Sequence, residues 1–358
     1  MRALPWLVCL PLLLLCACDS EPAQSPRRVA LEGIFESVVK PMLADLSERT
    51  QALSERVITL CQSPDAEALQ EARDAWHRHR RTLKQLEVLS FGPHTLTPWR
   101  LSGQLDFWPA RAEDIEAVLQ GDQALMGDAG LPLGASTKGS PALEYLLFGP
   151  DTAPEDFAAE GRRCEYLRAI AADLADKASA LEHAWNDDFF DIMRVAPGSE
   201  EYASIGESLG EVVNNLVFTV EVVREEKLGR PFGQKNGGEP QPDKLESPYA
   251  PRSIDDAIDT LAGVEAIYYG RYGDRKSGGI SALLRDQGEP KDVIFDHHMK
   301  TTLEALRAID GPLEQALTDD RPGVQASLDA LLDLIVFLQV DLAQSLAVTV
   351  TFGGSDGD

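Results

Sequence analysis

The chain has 358 residues, of which 44% are hydrophobic and 26% charged, which excludes disorder over most of its length. Lys plus Arg number 33 against 59 Asp plus Glu, a formal net charge of -26. That balance excludes nucleic acid as a partner, since phosphate binding needs a basic face. It is compatible with cationic ligands, although a solvated acidic surface is the commoner cause.

Residues 1–17 carry one positive residue, Arg2, ahead of an apolar run from Ala3 to Leu15. The run is shorter than the roughly 20 residues of a membrane span and has the layout of a secretory signal. Leu15-Cys16-Ala17-Cys18 has the pattern of a bacterial lipobox, with Cys18 as the lipidated residue. The expectation is a protein tethered to a membrane by a lipid on Cys18, with 18–28 as the tether. It faces the periplasm, and the choice of inner or outer membrane stays open. Cys9 and Cys16 leave with the signal, so Cys61 and Cys164 remain. In an oxidising compartment the pair reads as a disulfide in preference to a metal pair, and it is too widely spaced for a CxxC motif.

Helical periodicity dominates the rest of the chain. It runs from Val29 to Cys61, with Pro41 expected to kink or interrupt it. Ser63-Pro64-Asp65 restarts a helix with Pro in its first turn, carrying Leu69, Ala72, Trp76, Leu83, Leu86 and Leu89. Residues 92–109 read as irregular. Further helices are expected over 111–119, 139–148, 160–186 and 200–227. Residues 229–253 hold four Gly and five Pro and read as a loop or linker. Helices resume at Ser253, whose side chain suits an N-terminus, and continue over 293–309 and 324–348. No sustained strand alternation appears. The expectation is an all-α protein of two helical bundles, 29–228 and 253–350, joined by 229–252, with a tail at 351–358. Leu143-Glu144 to Phe148-Gly149 echoes Val264-Glu265 to Tyr269-Gly270, which suggests a pseudo-repeat of related halves.

HExxH, GxSxG and P-loop motifs are absent. The six histidines, including the pairs His77/His79 and His297/His298, are poorly placed for joint ligation and read as solvated. The informative residues are acids in apolar settings. Glu144 sits among Ala142, Leu143, Tyr145, Leu146 and Leu147. Glu87 lies between Leu86 and Val88, and Asp106 precedes Phe107-Trp108-Pro109. A buried carboxylate must find a cation, hydrogen-bond donors or a metal. Arg80, Arg81 and Arg100 are available. The expected pocket joins Glu144 to Glu87, His94, Arg100, Asp106 and Trp108.

Trp76–Pro93, Asp106-Phe107-Trp108-Pro109 and Gly139–Gly149 resemble the imelysin-like family of bacterial envelope proteins. So do Lys227-Leu228-Gly229-Arg230, Glu246-Ser247 and the segment Leu346–Phe352 with Asp356-Gly357-Asp358. The resemblance implies two helical-bundle domains and an envelope lipoprotein tied to iron acquisition, with iron-transport partners. It also suggests the Cys61–Cys164 pairing. The family takes its name from a peptidase, and its GxHxxE signature is associated with a metal. The matching positions here are Gly139, Pro141 and Glu144, so the nitrogen ligand is missing. A carboxylate set with Glu144 would then favour iron or another hard cation. The reading is a non-catalytic, lipid-anchored envelope binding protein. The alternatives are a metallopeptidase and a structural lipoprotein without a small ligand.

Overall fold

A computed structural model describes residues 25–125, 131–196 and 198–350. The signal 1–17, Cys18 and the tail 351–358 lie outside the described residues. The fold is all-α. Among the described residues the one departure is a two-residue antiparallel pair, Arg271–Tyr272 with Arg275–Lys276, which the sequence reading did not anticipate. No described helix is long and apolar enough to cross a membrane.

The first helix begins at Pro26, capped by the Ser25 side chain, so residues 26–28 of the expected tether are helical. It passes through a π-helical stretch, Phe35–Val39, into Lys40–Gln62. Pro41 therefore does not break the run. The wider π turn just before it accommodates the missing N–H and the proline ring. The next helix, Ala66–Gln85, is capped by Asp65, which accepts from Ala68 N at 2.8 Å; Pro64 stands outside it. Three more long runs contain π turns, among them Arg321–Val336, which continues through Phe337–Leu342 to Ser345. Arg162–His183 continues through Ala184–Phe189, and Ile205–Val222 through Val223–Gly229 to Phe232. The remaining large helices are Gly139–Phe148, Ser253–Tyr269 and Asp292–Ala308.

The helix pairs Lys40–Gln62 with Ala66–Gln85 and Lys40–Gln62 with Arg162–His183 pack most extensively in the first half, and Asp292–Ala308 with Arg321–Val336 in the second. One contiguous apolar core runs from Ala30 to Leu346 through both halves. Ser253–Tyr269 lies directly against Ala66–Gln85. Gly263 permits that approach, because a Cβ there would stand 2.1 Å from Gln85 O. The Cys61–Cys164 disulfide joins two helices of the first half, with Cα atoms 5.7 Å apart.

The Pro/Gly-rich segment after Phe232 is not a free surface linker. Glu246 and Ser247 are fully buried. Ser253 is the first helical residue, not the cap; its Oγ accepts from Ser247 N at 3.1 Å and so pins the segment to the helix. Glu144 and Glu265, which echo each other in sequence, sit in different settings. Glu144 is fully buried, whereas Glu265 pairs with Arg271 at the surface.

Candidate functional site: a buried charge centre beside an apolar cavity

Helix Ala66–Gln85 carries an inward stripe of Leu69, Ala72, Trp76, Arg80 and Lys84 at spacings of three and four. Its last two members are charged, yet both are fully buried. Arg80 Nε donates to Asp256 Oδ2 at 3.0 Å, Nη1 pairs with Asp106, and Nη2 stands 3.2 Å from Glu246. Lys84 Nζ donates to Glu87 Oε1 at 2.7 Å and also to Asp106 and Glu246. Lys227, also fully buried, donates to Glu87, to Thr260 Oγ1 at 3.0 Å and pairs with Glu246 Oε2 at 3.1 Å. Arg252 Nε donates to Asp256 at 2.5 Å, and the same guanidinium pairs with Asp259. Four cations thus face five carboxylates drawn from separate chain segments.

The electrostatics follow from this packing. Burial opposes ionisation of Asp106, but the Arg80 and Lys84 charges outweigh it and hold its carboxyl well below the ordinary range. Glu87 moves down for the same reason, with burial overcome by Lys227 and Lys84. For Asp256, Arg80 and Arg252 prevail over burial. Lys84 is raised, because its carboxylates overcome both burial and the Arg80 charge.

Glu144 is solved differently. Its Oε1 accepts from Tyr249 N and Ala250 N, both at 2.8 Å, while Oε2 is buried without a partner. Burial pushes its carboxyl up to about 8, only partly offset by Arg80 and the two amides. Burial thus favours its protonated form. Gly139 and Pro141 build the start of this helix. Gly139 has φ +75° and passes so close to the Ser102–Leu105 turn that a Cβ would stand 2.6 Å from Leu105 O. Pro141 is buried in the first turn, where a missing N–H costs nothing.

Beside the centre lies a cavity of about 240 Å³. Leu83, Leu86, Leu105, Trp108, Phe218 and Val222 give it apolar walls, and Glu87, Asp106, His94, Ser90, Ser102 and Thr219 its polar groups. Glu87 and Asp106 keep 21% and 11% of their side chains exposed, while Arg80, Lys84 and Lys227 keep none. The centre therefore presents carboxylate oxygens outward, with the cations behind them.

Of the residues expected to form the pocket, Glu87, His94, Asp106 and Trp108 meet at this cavity. Glu144, Gly139 and Pro141 do not line it. Arg100 is exposed on the loop surface and takes no part in the charge centre. The histidines are not uniformly solvated. His94 is buried and accepts from Trp185 Nε1 at 3.3 Å through Nδ1; burial pushes it down to about 4. His79 is fully buried, and burial pushes it down to about 3. Its Nδ1 lies 2.9 Å from Thr50 Oγ1, whose own proton goes to Leu46 O. His79 Nδ1 is therefore the donor and its Nε2 is bare.

Sequence reasoning named Glu87 and Asp106 but assigned no role to Lys84, Lys227, Glu246, Arg252, Asp256 or Thr260. The available signal was the stripe itself. Arg80 and Lys84 fall where a helix of this pattern places core residues.

A metal tied to the GxHxxE signature would need ligands that this chain does not offer. Pro141 has no ligating atom, and Glu144 Oε1 is taken by two amides. The one described group of three or more ligand-type side chains is Glu87, Asp106 and Glu246, with oxygens within 4.8 Å of one another. Its carboxylates already face the Lys84 and Lys227 ammonium groups and the Arg80 guanidinium.

The comparisons with known proteins agree with this architecture. The iron-regulated protein A of Synechococcus elongatus is 26% identical over 298 residues, covering 81% of this chain and 78% of that protein. Two solved structures share the fold. A protein of Parabacteroides distasonis described as a putative iron-regulated protein A precursor has a TM-score of 0.75 at 20% identity, covering 91% of this chain and 97% of its own. An imelysin-like protein of Psychrobacter arcticum has a TM-score of 0.74 at 18% identity, with the same coverages. The Imelysin family model matches residues 39–337, and the chain belongs to the imelysin family.

Proposed function

We propose that this chain is a non-catalytic binding protein of the cell envelope, anchored through a lipid on Cys18 and serving iron acquisition. The observation that carries the binding role is the cavity of about 240 Å³. Its apolar walls suit the body of a small organic molecule, and the carboxylate edge of Glu87 and Asp106 suits hydrogen-bond donors or a positive charge upon it. The link to iron rests on the name of the Synechococcus relative. Iron would then enter as a chelate or through a partner protein, because the three carboxylates that a bare ion would use are already paired.

Hydrolysis finds less support. A metallopeptidase needs an open coordination position and a general base. In this centre the carboxylates are spent on ammonium and guanidinium groups, and Glu144 Oε1 is held by two backbone amides.

Native mass spectrometry of the mature chain purified from iron-starved cells tests the reading. Wild type should carry a small-molecule adduct, and Leu105→Trp, which fills the cavity, should lose it. Wild type without an adduct but with chelator-sensitive peptide hydrolysis would overturn the proposal.

A further inference from the structure

Three carboxylates from separate parts of the chain converge on one point: Glu87 after the end of helix Ala66–Gln85, Asp106 from the loop, and Glu246 from the buried strap. Oxygens within 4.8 Å of one another cannot all stay ionised without a cation between them. Carboxylate-only sets of this kind suit hard divalent ions. We infer that this is a cation seat whose permanent occupant is the protein's own Lys84 ammonium, so that the chain excludes a metal ion from the place best built to hold one.

The donor count supports this. An ammonium group has three N–H bonds. Those of Lys84 reach Glu87, Asp106 and Glu246, one oxygen of each. Lys227 completes the arrangement. It donates to Glu87 Oε2 and to Thr260 Oγ1 at 3.0 Å, and its charge stands 3.1 Å from Glu246 Oε2. Both oxygens of Glu87 and one of Glu246 therefore accept hydrogen bonds, Glu246 Oε2 faces Lys227 by charge alone, and Asp106 divides its two between Arg80 and Lys84.

Displacement by an external ion is opposed on two grounds. Lys84 and Lys227 are fully buried, so an expelled ammonium would stay inside without partners. Arg80 also stands 3.2 Å from Glu246, and its fixed charge repels a second cation. The inference extends the binding reading but does not rest on it, because a ligand in the adjoining cavity is a separate matter.

The test compares wild type with Lys84→Met, which keeps the length of the side chain and removes its charge, and with Lys227→Met. Each is dialysed against manganese(II) or calcium, and its metal content and thermal unfolding are measured. Wild type should hold no ion above background and show no shift in Tm. Lys84→Met should take up one ion per chain and gain Tm with the ion, because an ion that binds only the folded state stabilises it. Adding Glu246→Gln should abolish both effects. Wild type that binds one ion per chain, lost in Glu246→Gln, would overturn the inference. So would folded Lys84→Met and Lys227→Met proteins that both ignore the ions. Should neither variant fold, the wild-type measurement decides alone.

Discussion

Replacing Glu144 with glutamine separates the cost of a buried charge from the value of the hydrogen bonds that surround it. Burial penalises the charged form of Glu144 and pushes its carboxyl up from the ordinary 4.5 to about 8 in the folded protein. The native state therefore keeps a proton that the unfolded chain has released. Stability from this group is full below pH 4.5 and falls as the pH rises towards 8, at about 1.4 kcal/mol per pH unit. Over the whole interval the loss is about 5 kcal/mol. Glutamine cannot ionise. Its amide oxygen can still accept from Tyr249 N and Ala250 N, and its NH2 takes the place of the unpartnered Oε2 at a cost that does not change with pH. Urea unfolding of both proteins at pH 5, 7 and 9 should give curves that diverge. Glutamine should gain on wild type by several kcal/mol between pH 5 and 9. Parallel curves would refute the reasoning, since they would mean that Glu144 is ionised or solvated throughout.

Three further outcomes are expected. Cys61→Ala with Cys164→Ala removes a link spanning 103 residues and should cost on the order of 4–5 kcal/mol by chain entropy; a loss below about 1 kcal/mol in urea would count against it. Gly139→Ala should lower Tm, because a left-handed φ costs a non-glycine residue about 1–2 kcal/mol and the contact with Leu105 O adds to that. Arg80→Met should destabilise the protein by about 3–5 kcal/mol, since it leaves Asp106 and Asp256 buried with fewer cations; unfolding in urea measures it.

The all-α class and the main helices were legible because apolar residues at spacings of three and four leave a strong trace. The burial of Glu144 was legible too, since a helix as apolar as Gly139–Phe148 has no solvated face. Its satisfaction by backbone donors fits the absence of a histidine at Pro141. The π turns left no trace, because they preserve the apolar spacing on either side. The charge centre was half visible. Glu87 and Asp106 stood out among apolar neighbours, but Lys84 and Lys227 carry the default reading of a solvated lysine. Their burial depends on Glu246, which reaches Lys84 across 162 residues of chain, and on Glu87, which reaches Lys227 across 140. No local pattern encodes such a meeting. His79 was read as solvated, since what covers it comes from distant parts of the chain.

A crystal structure of the protein soaked in manganese(II), with anomalous data, tests most directly the central claim that Lys84 fills the cation seat. The account predicts Lys84 Nζ among Glu87, Asp106 and Glu246 with no anomalous peak there. A peak bonded to those three carboxylates, with Lys84 turned away, would contradict it.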